Sequence, residues 1–233
     1  MTGKQILLGI VVLLLLYVLY MYYFGSGAKS YLSGQRDAKT PLNISASKLG
    51  RGNTTDYTFS VWIYINNWNY HLGQTKTILK REGQAYLIDT MALGANINNI
   101  TVTLATYPES GSTPQTHTCT LENVPIQAWV NVIMTLNNRS LDLYMDGKLV
   151  RTCVLPGVPL ASPGTALQVT PNGGFDGYIS NLQYISRAVN PREAWTIYRE
   201  GYGGSSWLSN LLNKYRIKLA FMEDNVEVNS IEI

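Results

Sequence analysis

The chain opens on an unbroken apolar run. Ile6 to Phe24 reads "ILLGIVVLLLLYVLYMYYF" and carries no charge. Nineteen residues at 1.5 Å rise reach about 28 Å, close to the hydrocarbon thickness of a bilayer. A helix is the single-segment structure that satisfies its own backbone in lipid. The run therefore predicts an anchor over residues 1–24 that contacts the lipid bilayer through 6–24, with Tyr20, Tyr22 and Tyr23 as an interfacial belt. A cleaved signal peptide is the rival, with Gly25 to Ala28 offering small residues, although its apolar region is normally about 7–15 residues long. Lys29, Arg36 and Lys39 follow the run and only Lys4 precedes it, which favours a cytosolic domain.

Residues 25–41 turn polar and read as a stalk. The pattern then changes period. In "YTFSVWIYI", Phe59, Val61, Ile63 and Ile65 share one face while Ser60, Trp62 and Tyr64 share the other, the alternation of a strand. The second face is half apolar, so it is expected to meet another element. Further strands are predicted at Leu42–Ile44, Thr77–Lys80, Ala85–Thr90, Thr101–Thr106, His117–Leu121, Trp129–Leu136 and Tyr178–Ile185. "NNWN", "PESGSTPQ" and "NNR" separate some of them as turns.

"LDLYMDGKLVRTC" predicts a hairpin turning at Asp146-Gly147, a pair suited to the positive φ values of a type I′ turn. A regular ladder sets Tyr144 against Leu149, Leu143 against Val150, and Asp142 against Arg151 as an ion pair, with Leu141, Leu143 and Val150 on the core side. "NPREAWTIY" predicts a short helix with Asn190 as its cap and Pro191 in its first position. Trp207, Leu208, Leu211, Leu212 and Tyr215 recur at helical spacing, so residues 207–233 read as an amphipathic helix and tail that pack on the domain or on a partner.

Taken in this order, the pieces "FSVWIYI", Trp129 with Val132, "LDLYMDGKLV" and "FDGYISNLQYISRAVNPREAWTIY" resemble the laminin-G-like, or concanavalin A-like, jelly-roll superfamily over Leu42 to Arg199. The resemblance implies an all-β fold, a concanavalin A-like jelly-roll sandwich over 42–206, preceded here by one N-terminal transmembrane helix. The anchored form also resembles minor structural proteins of large DNA viruses with internal membranes. The leading expectation is a non-enzymatic minor capsid or membrane-associated virion protein. It would be single-pass at the capsid–membrane interface, with other structural proteins of a large assembly as partners. The alternative is a membrane-anchored, lectin-like glycan-binding module on an extracellular or lumenal face.

Composition narrows the chemistry. Among 233 residues the formal net charge is only +3 and no Lys/Arg run occurs, so nucleic acid is not an expected partner. Glycosidases of the superfamily carry acids in a Glu-x-Asp-x-x-Glu pattern. Here Glu82 and Asp89 lie seven apart, without that alternation, and no catalytic residue is assigned. Cys119 and Cys153 are the only cysteines; a disulfide between them and two buried thiols are both open readings. Sequons stand at Asn43, Asn53, Asn99 and Asn138, which favours a lumenal or extracellular face. No cofactor is required. Calcium, frequent in lectin-like relatives, has its best candidate ligand in Asp176, which reads more readily as part of a turn before Gly177. For glycan contact the candidates are Trp62, Asn66, Asn67, Trp68 and Tyr70, aromatic rings and amides in or beside a polar loop.

Overall fold

A computed structural model describes residues 11–17, 19, 29–32, 34–49, 56–83, 87–109, 111, 113–161, 164–203, 218–223 and 226–232. Two seven-stranded sheets face each other. The first runs β1 (Lys29–Leu32), β14 (Asp176–Ile185), β4 (Tyr57–Asn67), β9 (Trp129–Asn137), β10 (Ser140–Met145), β11 (Lys148–Val154), with β2 (Arg36–Asp37) also on β14. The second runs β12 (Val158–Pro159), β7 (Ile100–Tyr107), β6 (Leu87–Leu93), β5 (Lys76–Glu82), β13 (Leu167–Val169), β3 (Leu42–Ile44), with β8 (Gln115–Leu121) also on β7. A separate hairpin pairs β15 (Lys218–Glu223) with β16 (Val226–Glu232). The expected helix at 207–215 lies outside the described residues. Both β1 and β2 come from the segment read as a stalk.

The alternation of "YTFSVWIYI" explains the layering. Phe59, Val61, Ile63 and Ile65 point inward with Val130, Val132, Met134 and Leu136 of β9, and meet Leu79, Met91, Leu93, Val102 and Leu104 of the second sheet. A charged pair is buried in this core. Arg81 and Asp89 pair on adjacent strands, Tyr57 donates its hydroxyl to Asp89 Oδ2 at 2.7 Å, and the guanidinium lies 4.4 Å from the Tyr57 ring centre. Burial opposes the charge on Arg81, but the Asp89 carboxylate outweighs it and holds the pKa above the usual arginine value. Burial, then Asp89, pushes the Tyr57 phenol well above the ordinary tyrosine value.

The membrane-spanning helix over Ile6 to Phe24 is a correction. Residues 11–17 and 19 of that run are helical, and its other residues lie outside those described. No helix among the described residues is long and apolar enough to cross a membrane. Ile6 and Phe24 lie outside the described residues. The bilayer contact through 6–24 and the single-pass location rested on that helix and are withdrawn with it.

The hairpin turns at Asp146 (φ 50°) and Gly147 (φ 72°), but its ladder departs from the regular register. Tyr144 still faces Leu149; beyond that a bulge at Val150 sets Leu143 against Arg151 and Asp142 against Thr152. The expected Asp142–Arg151 pair is therefore not formed: Thr152 Oγ1 donates to Asp142 Oδ1 at 2.6 Å, and Arg151 lies 3.9 Å from Glu122. Val150, expected in the core, is exposed. The reason lies three residues on. A one-residue slip exchanges the faces of a strand, so the bulge sets Cys153 opposite inward-facing Leu141 instead of Ser140. There it forms a disulfide with Cys119, Cα–Cα 6.2 Å, which joins β11 at one edge of the first sheet to β8 at the edge of the second.

Candidate functional site

The half-apolar second face of β4 has two fates. Its middle is covered. Helix α1 (Pro191–Arg199) starts with a reciprocal capping box, Asn190 Oδ1 accepting from Glu193 N–H and Glu193 accepting from Asn190 N–H, and Arg187 braces Glu193 at 2.7 Å. The helix lays Ala194 and Ile197 on Ile133, Tyr144, Ile185 and Val189, a second small core outside the sandwich. Gly147 makes that approach possible, because a Cβ there would lie 2.9 Å from both Trp195 and Tyr198. Trp62 is buried beneath Tyr198, the rings stacked 5.5 Å apart.

The end of the face is not covered by α1. As the chain leaves the helix, Gln183 donates to Glu200 at 2.7 Å, Asn181 to the Gly201 carbonyl at 2.9 Å and Ser180 to the Tyr202 carbonyl at 2.6 Å. These bonds lay Tyr202 flat on Trp129, centroids 4.7 Å apart and 3° from parallel. Across the sheet, Tyr178 of β14 stands opposite Tyr64 of β4, and Tyr64 opposite Trp129 of β9. Ring centres are 6.3 Å and 5.6 Å apart, so the three form one transverse row. Gly177 allows β14 to come this close, since any Cβ there would collide with the Tyr64 carbonyl oxygen. Tyr178 is 40% exposed and Tyr202 42%, large values for rings built into a sheet and its cover. Asn66, next along the outward side of β4, lies at the rim, and Gln127 Nε2 donates to its carbonyl at 3.4 Å.

The residues expected to form one site are divided. Asn66 is exposed two residues beyond Tyr64 on β4. Trp62 belongs to the packing under α1. Asn67 is exposed, faces Asp176 in the ladder and accepts from Asn69 N–H at 2.9 Å. Trp68 packs on the main core with the Lys76 ammonium 4.6 Å above its ring. Tyr70 stacks on His71 at 4.0 Å with Lys39 5.0 Å over it. Tyr64, Trp129, Tyr178 and Tyr202 were not among the candidates. The outward parity of Tyr64 was a usable signal; the alignment of four rings from four segments was not.

Asp176 is engaged by the Lys39 ammonium at 2.7 Å, and the described residues hold no cluster of three acidic, His or Cys side chains around it. Glu82 pairs with Lys80 at 2.6 Å and Asp89 is buried on Arg81 and Tyr57, so neither carboxylate is placed for hydrolysis. Of the sequons, Asn43 is exposed on edge strand β3 and Asn138 is exposed at the β9–β10 turn with φ 52°. Asn99 is half-buried and accepts from Asn123 N–H at 3.2 Å. Asn53 lies outside the described residues.

A family model described as the concanavalin A-like lectin/glucanases superfamily matches residues 27–194. Among solved structures, the chain is similar to the receptor binding domain of botulinum neurotoxin C/D mosaic serotype, 14% identical with a TM-score of 0.54 over 77% of this chain and 50% of that one. It is similar to the binding domain of botulinum neurotoxin DC in complex with rat synaptotagmin II, 12% identical, TM-score 0.51, covering 76% and 47%. The same neurotoxin domain in complex with SialylT is 13% identical, TM-score 0.51, covering 76% and 48%. At such identities the likeness establishes the fold, and this chain spans about half the length of those chains. No curated protein matches the sequence. These findings correct the expectation of a virion protein joining a membrane to a shell: what matches is a lectin and glucanase superfamily and the binding domains of toxins. The expected partners in a large assembly fall with it.

Proposed function

Because the chain belongs to the concanavalin A-like lectin/glucanases superfamily, we propose that it is a non-enzymatic, lectin-like interaction module that binds glycan over the row Tyr178, Tyr64 and Trp129, with Tyr202 stacked on Trp129 as the outer ring at that end. The observation that carries this reading is the row itself. Three rings on adjacent strands share one register, and the flanking Tyr178 and Tyr202 are about two-fifths exposed. Exposed rings of this size in a defined array ask for a ligand. The C–H face of a pyranose packs on the electron-rich face of an aromatic ring, and the Asn66 amide stands at the rim to hydrogen-bond ring hydroxyls. The acids that a glucanase would use are committed elsewhere, which leaves binding without cleavage.

A broad glycan array probed with the full chain tests this. Tyr178→Ala and Trp129→Ala are expected to lower affinity at least tenfold, while Tyr70→Ala, in a separate loop, leaves it unchanged. Binding is expected to persist in a calcium chelator, because Asp176 is held by Lys39. No binding on the array, or binding indifferent to Tyr178→Ala and Trp129→Ala, would overturn the reading.

A further inference from the structure

The aromatic row ends in a charge. We infer that its preferred glycan carries a basic amino group beside the stacked sugar ring, an inference that rests on the binding reading above. Strand β2 pairs with β14 so that Asp37 stands opposite Tyr178. Residues directly opposite share a face, with Cβ atoms about 4.5–5.5 Å apart. Four neighbouring strands therefore place Asp37, Tyr178, Tyr64 and Trp129 in one line. At about 4.8 Å per strand that line is roughly 14 Å long.

Asp37 is exposed. Its Oδ1 accepts the Lys39 backbone N–H at 2.8 Å, which fixes the carboxylate close to the chain. The Lys39 ammonium is paired with Asp176 at 2.7 Å and only its field reaches Asp37, so the Asp37 carboxylate has no salt-bridge partner of its own among the described residues. The line holds no basic side chain. An ammonium group on a sugar over Tyr178 would lie on the negative face of the ring and next to a carboxylate, and both attract it. A carboxylated sugar in the same place would meet a like charge, and a neutral sugar would gain only the stacking.

Calorimetric titration of the full chain with three soluble tetrasaccharides tests this: a glucosamine oligomer below the pKa of its amine, its N-acetylated counterpart, and a glucuronate-containing oligomer. The amino sugar is expected to bind about two- to fivefold tighter than the acetylated one, the size of one exposed charge pair, with the acidic oligomer weakest. That advantage is expected to disappear in Asp37→Asn and in high salt, and to survive in Asp37→Glu. Equal affinities for the amino and acetylated oligomers, or a preference that Asp37→Asn leaves intact, would overturn the inference and leave the row as a glycan site. Binding of all three oligomers unaffected by Tyr178→Ala, or no binding at all, would overturn the parent reading instead.

Discussion

Opening the Cys119–Cys153 bond is the perturbation with the most to say about this architecture. The bond joins two sheet edges through residues 34 apart in sequence. In the chain-entropy treatment, closing a loop of about that length removes some 12.6 cal/mol/K from the unfolded chain, or about 3.8 kcal/mol at 25 °C. Unfolding entropy of about 2.1 cal/mol/K per residue, taken over the roughly 170 residues between 27 and 194, gives about 0.35 kcal/mol/K. The reduced protein should therefore melt about 11 °C lower. Reduction is the better perturbation than substitution, because both sulfur atoms remain and almost no cavity opens at the buried Cys119. The measurement is differential calorimetry of the oxidised chain and of the chain refolded under reductant, with thiols counted in each. A drop under about 3 °C in fully reduced protein would refute the reasoning, since the edges would then be held by packing alone.

Four further outcomes are expected. Asn190→Ala removes a capping box and should cost about 1 kcal/mol in urea unfolding, with a loss of helical circular dichroism. Gly147→Ala puts a methyl against Trp195 and Tyr198 and strains a residue at φ 72°; it should cost about 1–3 kcal/mol and quench or shift the fluorescence of Trp195 and Trp62. Arg81→Met strands the buried Asp89 carboxylate and should cost about 3–5 kcal/mol, while adding Asp89→Leu should recover most of that in a double-mutant cycle. Tyr57 titrates well above 10.0 in the folded chain, so folding favours its neutral phenol. Its contribution is complete below pH 10.0 and lost as pH rises through the folded value; unfolding free energy should fall there, and Tyr57→Phe should flatten that fall.

Much of the sandwich was legible because its strands alternate so cleanly. β4 and β9 show their inward faces in sequence, the Asp146-Gly147 turn was readable from two residues, and the helix start was written in Asn190, Pro191 and Glu193. The register of β11 was not legible. A bulge leaves no local signature when the residues on either side of it are all compatible with a strand, and only the distant Cys119 decides which face Cys153 must take. The apolar run at the N-terminus was legible as greasiness, and only residues 11–17 and 19 of it are among those described. Trp62 shows where outward parity misleads. Its period marked it as outward, and outward was equated with exposed, whereas a helix from more than a hundred residues downstream covers it. Tyr64, two residues on, escapes that cover because α1 is short.

The bulge at Val150 reaches beyond the disulfide. β11 lies at the margin of its sheet, exposed at six of its seven positions, with Leu149, Val150 and Val154 uncovered. A flat strand of that kind is a template on which another molecule can zip. The irregular step interrupts the spacing of its free N–H and C=O groups, and Lys148 and Arg151 bring like charges to any antiparallel copy. Crowded solutions of the chain should therefore stay dispersed. A chain lacking Val150 would lose the step yet keep Cys153 opposite Leu141, so the disulfide would survive on an unguarded strand, and sticky oligomers would follow from a single missing residue.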